Sequence, residues 1–329
     1  MRYPLSVLDL IPVASGTPAS LAVRRSVDLA QLAEELGYVR YWISEHHSMP
    51  SLASPAPEPI LAHVAARTDR IRVGPGGIML PNHKPLRVAE LFHTMEALYP
   101  GRMDLGIGRA PGSDARASKA LGAESPERFG DLFNQMLSLS RGTLPRMHPI
   151  NGVKVMPNDV GLPPIWILGS SGASAAAAGG AGMGYSFASH FSATPPGPAI
   201  TRYREAFQPS DEFPEPHAIL GVSVICAPTE DEAEYLAASF DLAWLRLNKG
   251  DFQPLPTPEE AMAYDYTEGD RELIAENRQR HVVGDPQQVH ERLDAMMAKS
   301  GADELMVVSN IHDHEARLRA YHLLAEAMA

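Results

Sequence analysis

The sequence predicts an α/β protein whose fold is a (β/α)8 TIM barrel with an insertion before the eighth strand. Eight apolar runs of strand length alternate with at least eight segments that carry a helical period, and this alternation requires parallel strands joined by helical crossovers. The chain has 329 residues, of which 44% are hydrophobic, enough to bury one large core. An eightfold repeat at this length favours a closed barrel over an open doubly wound sheet, so we expect one domain over residues 1–329.

Short apolar runs predict the first four strands, and apolar residues spaced three and four apart predict the helices between them. Thr17 before Pro18 gives the first helix a cap and a first-turn proline, and Gly37 ends that helix. The helix after the fourth strand is capped by Ser125-Pro126. The expected strands are Leu5–Leu10, Tyr38–Ser44, Ile71–Leu80 and Met103–Gly108, and the expected helices lie around Leu29–Leu36, Ile60–Ala65, Ala89–Leu98 and Phe129–Leu137.

The second half of the chain continues the same alternation. Thr229 with Glu232, and Asp285 with Gln288, form capping boxes that open two later helices. Residues 248–282, rich in Pro, Glu and Tyr, are either a lid over the site or an exposed insertion. The expected strands are Ile165–Leu168, Tyr185–Ala188, Ala218–Ala227 and Leu305–Ser309, and the expected helices cover Ala173–Ala181, Ala199–Phe207, residues 230–247, residues 286–297 and Ala316–Met328.

The composition limits the classes of partner. With 28 basic and 40 acidic side chains, the net charge of −12 repels phosphate backbones and anionic lipids, so we expect neither nucleic acid nor a membrane as partner. A single cysteine, Cys226, excludes an internal disulfide and a cysteine cluster for zinc or an iron–sulfur centre. The first apolar run meets Pro12 and Gly16 at once, which does not fit a signal peptide. We therefore expect a cytoplasmic protein without a metal.

In a barrel of this kind the loops after the strands carry the active site, so residues at those positions are the candidates for function. Glu45, His46 and His47 follow the second strand. Neighbouring side chains on an extended backbone point to opposite sides, so the two histidines cannot bind one metal ion, but one of them can act as acid, base or hydrogen-bond donor. The alternative is that these histidines cap a helix or belong to the core.

The third strand is rich in glycine. Gly74, Gly76 and Gly77 lie within an otherwise apolar run, and Asn82 comes directly after it. Glycine inside a strand marks either a bulge or a place where a ligand approaches the backbone, and a flat aromatic ligand fits the second case. The residues alone leave both interpretations open.

Two further strand ends carry groups that suit a phosphate. Arg109 lies in the run Gly106–Gly112, which matches a dinucleotide fingerprint only in part because Pro111 replaces its third glycine. A guanidinium binds phosphate well, although a surface salt bridge is the alternative. Small residues, among them Ser170, Ser171 and Ser174, open the alanine-rich helix, where free N–H groups attract phosphate. Simple helix capping is the alternative there.

Histidines elsewhere give weaker signals. His190 is the only other histidine at a strand end, and we include it with Asn82 as a candidate for the substrate pocket. His312 and His314 flank Asp313 at the start of a polar helix, and we expect a solvated surface there rather than a metal site.

These motifs occur in the order seen in bacterial luciferase-like flavin monooxygenases, and the chain resembles that family nearly end to end. The resemblance is strongest to a single-component branch of unassigned substrate. Four segments carry the resemblance to the family: Glu45–His47, Gly76–Pro81, Gly101–Arg109 and Gly169–Ser171. Three carry the resemblance to the branch: Leu80–His83, Arg109–Asp114 and Ala188–His190.

The resemblance implies an FMN site. Arg109 and the backbone at Ser170 and Ser171 would bind the FMN phosphate, with Ser174 assisting. Gly76-Gly77 would lie against the isoalloxazine ring and be joined by a non-proline cis peptide bond.

The resemblance also implies that His46, with Glu45 near it, is the catalytic residue beside the flavin. The expected activity is an FMN-dependent monooxygenase, in which reduced FMN from a separate flavin reductase reacts with O2 to form a C4a-peroxyflavin that oxidises a small organic substrate. Two alternatives are a deazaflavin-dependent hydride-transfer oxidoreductase and a non-catalytic flavin-binding protein.

The chain departs from the light-emitting luciferase subunit at two positions. Ser170 stands where that subunit has an acidic residue, and Gly108 stands where it has a reactive cysteine, so we do not expect light emission. Relatives are commonly homodimers, and we expect a homo-oligomer here as well.

Overall fold

Parallel strands form a nearly closed barrel with helices packed around it in the computed structural model, which describes residues 3–329. The predicted α/β barrel is confirmed, and the first two residues of the expected domain lie outside the described part. The strands are β1 Leu5–Asp9, β2 Arg40–Ile43, β3 Arg72–Pro75, β4 Ile78–Met79, β5 Leu105–Gly108, β6 Ile165–Gly169, β7 Gly184–Ala188, β8 Ala218–Cys226, β9 His281–Gly284 and β10 Glu304–Val308.

Helices return the chain from the end of one strand to the start of the next, as parallel pairing requires. The helices are α1 Ala19–Glu35, α2 Pro57–Ala65, α3 Pro85–Leu98, α4 Ala115–Leu121, α5 Phe129–Arg141, α6 Gly172–Gly180, α7 Pro196–Ala206, α8 Glu230–Asn248, α9 Pro258–Met262, α10 Glu268–Arg278, α11 Pro286–Ser300 and α12 His314–Ala327. None of the helices within residues 3–329 is both long enough and apolar enough to cross a lipid bilayer.

The third predicted strand, Ile71–Leu80, is wrong as a single element, because it is divided into β3 and β4. β3 pairs with β2 and β4 pairs with β5, so the two halves together close the barrel. Gly76-Gly77 separates them, and its peptide bond is cis, as the family resemblance implies. A Cβ atom on Gly77 would lie 2.7 Å from the Gly106 carbonyl oxygen, so only glycine allows this close approach of two backbones.

The segment of residues 248–282 is more than a lid or an exposed insertion. It forms α9 and α10, and its end enters the sheet as β9, a strand that the sequence analysis does not predict. β8 pairs with three strands along its length: residues 218–221 pair with β7, residues 219–223 with β10, and Ser223–Cys226 with β9. The long apolar run of β8 is therefore buried throughout, first inside the barrel sheet and then under the insertion.

Large aromatic side chains fill the interior of the barrel. Trp42 of β2 and Trp166 of β6 meet edge to face with their ring centroids 5.7 Å apart, and Phe213 packs against Trp166 at 5.1 Å. Leu8, Ile219 and Met306 complete this inner cluster. Aromatic pairs in this geometry stabilise a core beyond the area that they bury.

Arg40 closes the N-terminal end of the barrel. Its guanidinium lies 2.9 Å from Asp104 Oδ2 and 2.9 Å from Glu304 Oε1, and 4.5 Å from the centre of the Trp166 ring. Arg72 binds the other oxygen of Asp104 at 2.7 Å. Burial raises the pKa of both carboxyl groups, but the charges and hydrogen bonds of their partners, Arg40 first among them, leave each pKa below its usual range.

A second buried ion pair holds the C-terminal end of β1. Asp9 accepts hydrogen bonds from Arg317 Nη2 at 2.7 Å, from the Ile11 N–H at 2.7 Å and from the Tyr41 hydroxyl. Ile11 has a φ of 52°, which a β-branched residue rarely adopts, so the bond to Asp9 supports an unfavourable backbone. Burial raises the pKa of Asp9, but the charge of Arg317 and the hydrogen bonds outweigh burial and lower it.

Replacing Arg317 by leucine is expected to lower the free energy of unfolding by about 3–5 kcal/mol, because Asp9 would become an unpaired buried charge. Urea denaturation at neutral pH measures this loss. Arg319→Leu on the same helix is the matched control. The Arg319 side chain is 54% exposed and lies 3.6 Å from Glu232, so its loss should cost less than about 1 kcal/mol. Equal losses in the two variants would refute the stabilising role of the Asp9 pair.

Candidate active site at the mouth of the barrel

The expected site residues lie at the C-terminal ends of the strands, and strand register brings several of them together. Ile43 pairs with Pro75, and the Gly76 N–H donates to the Ile43 carbonyl at 2.7 Å. The segment Glu45–His47 therefore lies beside Gly76-Gly77. On the next part of the rim, β5 and β6 are paired neighbours, so the loops that carry Arg109 and Ser170 leave the barrel side by side.

Glu45 is fully buried and holds the loop after β2 to the turn after β4. One carboxylate oxygen accepts hydrogen bonds from the Met79 N–H at 2.9 Å and from His83 Nε2 at 2.9 Å. The other accepts from His47 Nε2 at 2.9 Å and from Asn82 Nδ2 at 3.0 Å. Both oxygens are thus occupied by protein donors, and the carboxylate shapes the rim beside Gly76-Gly77.

Glu45 and His83 favour each other's charged forms. Burial raises the pKa of Glu45, but the hydrogen bond and charge of His83, with the other donors, hold that pKa below its usual range. Burial lowers the pKa of His83, but the hydrogen bond to Glu45 and its charge raise the pKa above its ordinary value. The pair therefore favours carboxylate with imidazolium.

His46 is only partly buried, unlike its neighbour Glu45, and its backbone N–H donates to the Ser54 carbonyl at 3.1 Å. Burial lowers the pKa of the His46 imidazole, and this effect exceeds the opposing hydrogen bond with the Gly112 backbone and the charge of Glu45. The ring is therefore neutral near pH 7, with one nitrogen able to donate and the other able to accept a proton.

His190 follows β7, on the side of the mouth opposite β2. Its backbone N–H donates to the Gly221 carbonyl at 2.9 Å, and its ring Nδ1 is buried without a hydrogen-bond partner among the described residues. Burial lowers the pKa of His190 to about 4, and the charge of His46 contributes to this shift. The mouth thus carries two neutral imidazoles, close enough to affect each other electrostatically.

Arg109 lies on the exposed rim after β5. Within residues 3–329 its guanidinium forms no hydrogen bond or ion pair, so the alternative of a surface salt bridge is wrong. The loop that carries it is fixed at Gly112, which has a φ of 62°, and a Cβ atom there would lie 2.6 Å from the Glu45 carbonyl oxygen. Glycine at this position lets the loop contact the segment after β2 directly.

Small residues surround the start of α6, as expected. Ser171 caps the helix, and its Oγ accepts the Ser174 N–H at 3.5 Å, while Ser174 Oγ donates to the Ser171 carbonyl at 2.9 Å. Ser171 is exposed, and Ser170 and Ser174 are partly buried. Ser171 therefore acts as a cap, and this role leaves the first N–H groups of the helix facing the rim.

The remaining candidates have structural partners. Asn82 Nδ2 also donates to the Pro111 carbonyl at 2.9 Å, while its Oδ1 is buried without a partner among the described residues. Asp313 caps α12 by accepting the Ala316 N–H at 2.8 Å. The expected solvated surface is wrong for His314, which is only 9% exposed because α12 packs it toward α1. No group of three His, Cys, Asp or Glu side chains in residues 3–329 could hold a metal ion.

Sequence reasoning did not assign a role to His83, His47 or His281. His83 and His47 both bind Glu45, and the position of His83 next to Asn82 in the same motif was the available signal. His281 lies in the segment that was expected to be a lid or an exposed insertion, but it is buried at the start of β9. Its burial depends on α8, which packs across it from 30 or more residues earlier in the chain.

The sequence profile of the family described as luciferase-like monooxygenase matches residues 3–304. The chain is 42% identical over 325 residues to the uncharacterized protein YceB of Bacillus subtilis (strain 168), which covers 98% of each chain. It is 37% identical over 325 residues to the luciferase-like monooxygenase of Escherichia coli (strain K12), covering 97% of this chain and 95% of that one.

Solved structures have the same fold. The crystal structure of apo-MsnO8 is similar with a TM-score of 0.88 and 39% identity, covering 99% of this chain and 98% of that one. Two others are alike in fold alone. The oxygenating constituent of 3,6-diketocamphane monooxygenase from Pseudomonas putida, in complex with FMN, has a TM-score of 0.71 and 19% identity, over 99% of this chain and 98% of that one. An F420-dependent secondary alcohol dehydrogenase has a TM-score of 0.72 and 12% identity, over the whole of both chains.

The family resemblance expected from the motifs is thereby confirmed over most of the chain. The profile match and the end-to-end relatives together show that the chain belongs to the luciferase-like monooxygenase family and is an oxidoreductase of that kind.

Proposed function

We propose that this chain is an FMN-dependent monooxygenase that uses reduced flavin and O2 to oxidise a small organic substrate. The observation that carries the proposal is the mouth of the barrel, where the Gly76-Gly77 backbone, the free Arg109 guanidinium, the start of α6 and a neutral His46 lie on one rim. In a barrel of this type the chemistry belongs at this end.

The rim residues fit a flavin phosphate. Arg109 has no protein partner within the described residues, and it can bind two phosphate oxygens at once. The first turn of α6 adds N–H donors and the positive end of the helix dipole, and Ser174 adds a hydroxyl. The proposed phosphate site thus combines one full positive charge with directional donors.

The backbone at Gly76-Gly77 fits one face of a flat ring system. A Cβ atom on Gly76 would lie 2.6 Å from Leu8 Cδ1, so this peptide rests directly on the interior of the barrel and presents no side chain. This smooth surface is the proposed support for the isoalloxazine ring.

Reduced FMN, when bound, would supply the electrons that activate O2. His46 would hold or donate the proton at this site, because its lowered pKa keeps the ring neutral near pH 7. His190 Nδ1 and Asn82 Oδ1 have no protein partner among the described residues, so we propose that they form hydrogen bonds with the substrate. A buried polar atom left without a partner is unfavourable, and a substrate group would relieve that cost.

Glu45 would act as a positioning residue. Its hydrogen bonds with Met79, Asn82 and His83 join the loop after β2 to the end of β4 and the turn that follows it. These two segments carry His46 and flank Gly76-Gly77. We propose that it orients the site without transferring a proton, since both of its oxygens already accept hydrogen bonds. The reduced flavin would be delivered by a separate flavin reductase, as the family resemblance implies.

Arg109→Ala is expected to weaken the binding of reduced FMN by about tenfold or more, because one charge-assisted contact to phosphate is lost. An anaerobic titration followed by flavin absorbance measures the dissociation constant. Arg146→Ala, an exposed arginine after α5, is the matched control and should bind as the wild type does. If the wild type bound a deazaflavin but not reduced FMN, the hydride-transfer alternative would replace this proposal.

His46→Asn is expected to bind reduced FMN unchanged but to slow the reoxidation of bound flavin in air by about 10²-fold, because the proton-transfer group is missing. Stopped-flow absorbance measures the rate. The wild-type rate should change as the pH falls below the ordinary histidine value of 6.5, and the variant should lack this dependence. His322→Asn, half exposed on α12, is the control. Identical pH profiles for wild type and His46→Asn would exclude a proton-transfer role for His46.

Glu45→Gln is expected to lower the free energy of unfolding by about 1–3 kcal/mol, because one carboxylate oxygen becomes an NH2 group and the donors that it served lose their acceptor. The Glu45–His83 pair contributes fully between the ordinary values of 4.5 and 6.5. Its contribution is lost below that window as Glu45 is protonated through its lowered pKa, and above it as His83 is deprotonated through its raised pKa.

Urea denaturation across this pH range measures the difference between wild type and Glu45→Gln. Glu124→Gln removes an exposed ion pair with Lys84 and should leave the free energy of unfolding nearly unchanged at every pH. A difference between wild type and Glu45→Gln that stayed constant with pH would contradict the assigned pairing with His83.

A further inference from the structure

A cavity lies beside the mouth of the barrel, where His281 in its lining is close enough to His190 for the two rings to interact electrostatically. It has a volume of about 590 Å³, is open to solvent, and is bordered by α8, the segment from α9 to α10, and the β9–α11 region. None of the residues proposed to bind flavin lines it. We call it the α8–α10 cavity; its polar lining consists of Glu234, Asp241, Tyr266, Arg271, Arg278, His281 and Arg292.

The charges around the α8–α10 cavity favour an anion. Three arginines face two carboxylates, in a chain whose net charge is −12. Both carboxylates are used by one arginine: Arg278 lies 2.7 Å from Asp241 and 3.1 Å from Glu234. Within residues 3–329, Arg271 and Arg292 form no ion pair. Arg292 Nη2 donates to the His281 carbonyl at 2.7 Å and the Arg271 guanidinium lies 5.4 Å from the centre of the Tyr266 ring, so both positive charges remain without a negative partner.

The unpartnered ring of His281 is a second, independent observation that points to a ligand in the α8–α10 cavity. Its side chain lines the cavity and is 3% exposed, yet both of its ring nitrogens are buried without a hydrogen-bond partner among the described residues. Burial, followed by the charges of His190 and the nearby arginines, lowers the pKa of His281 to about 3. The neutral ring offers one donor and one acceptor, and an unpartnered buried ring of this kind is unfavourable unless a ligand or water bonds to it.

The rest of the lining is apolar and built from small side chains. Ala238 of α8 and Ala275 of α10 leave room between the helices, while Ile274 and Val283 present branched apolar surface. The volume lies within the range of about 300–1,000 Å³ that small-molecule sites occupy. A ligand with an apolar body and one negatively charged end would therefore match both the apolar lining and the arginines of the cavity.

The elements around the cavity are held in place by ion pairs. Arg246 of α8 lies 2.8 Å from Glu260 of α9, and Lys249 lies 2.7 Å from Asp270 of α10. β9 is bonded to β8 along the sheet. The cavity is thus formed in the protein before any ligand enters, which reduces the entropic cost of binding.

We propose that the α8–α10 cavity binds a small organic anion, such as a carboxylate or sulfonate with an apolar body. Arg271 and Arg292 would bind the anionic group, His281 would donate one hydrogen bond from its neutral ring to that group, and Ile274 with Val283 would contact the apolar part. This site is separate from the proposed flavin site and does not require flavin.

The test uses the full chain and 8-anilinonaphthalene-1-sulfonate, an organic sulfonate whose fluorescence rises in apolar surroundings. We expect saturable binding at one site that FMN does not displace. Arg271→Glu should weaken binding by about tenfold or more, because a charge-assisted contact becomes a repulsion. Ala238→Trp should abolish binding by filling the cavity, and Arg146→Ala should leave binding unchanged.

Two outcomes would overturn the proposal. One is an absence of saturable binding. The other is binding that FMN displaces or that Arg271→Glu leaves unaltered, since the dye would then lie elsewhere. If Ala238→Trp did not fold, as judged by circular dichroism, Arg271→Glu would still decide the question, because Arg271 is exposed on α10. The proposed flavin site is judged separately, by Arg109→Ala.

Discussion

The closed end of the barrel depends on the guanidinium of Arg40. It bridges Asp104, which precedes β5, and Glu304, which begins β10, so one side chain of β2 joins three strands that are not neighbours. The bridge crosses the interior and sets the width of the barrel there. The Trp166 ring lies over it, and the Trp42 N–H donates to Asp104 at 3.0 Å. Large side chains therefore fill the interior at this end of the barrel.

The carboxylates and the imidazoles at the C-terminal end of the barrel strands have different roles. The carboxylates of Asp9 and Glu45 are buried, ionised and fully bonded, and each supports a loop that the backbone alone would not hold. His46 and His190 have lowered pKa values and remain neutral. Proton transfer near pH 7 requires neutral imidazoles such as those of His46 and His190. A rigid rim instead requires ionised, fully bonded carboxylates such as those of Asp9 and Glu45. Under the proposed function different residues meet the two demands, and Glu45 and His46 do so as neighbours on the loop after β2.

Local patterns were sufficient for the order of the eight expected strands and the main helices between them, because parallel crossovers show in apolar periodicity, but they missed α4, α9 and α10. They could not reveal the division of the third strand, since Ile71–Leu80 is apolar on both sides of Gly76-Gly77. They also could not reveal β9, whose four residues resemble any short apolar run. At the proposed site, position alone made Glu45 and His46 candidates, but apart from His47 the donors to Glu45 come from residues 79–83, more than 30 positions away.

The pairing of β9 with β8 has a consequence for the evolution of this protein. β9 is attached to the upper half of β8 through backbone hydrogen bonds, and these do not depend on side-chain identity. Substitutions in α9 and α10 therefore leave the register of the barrel strands untouched. Residues of α9 and α10, beside the mouth, can therefore change during evolution while the barrel strands keep their pairing. Ligand preference can diverge among relatives through this segment.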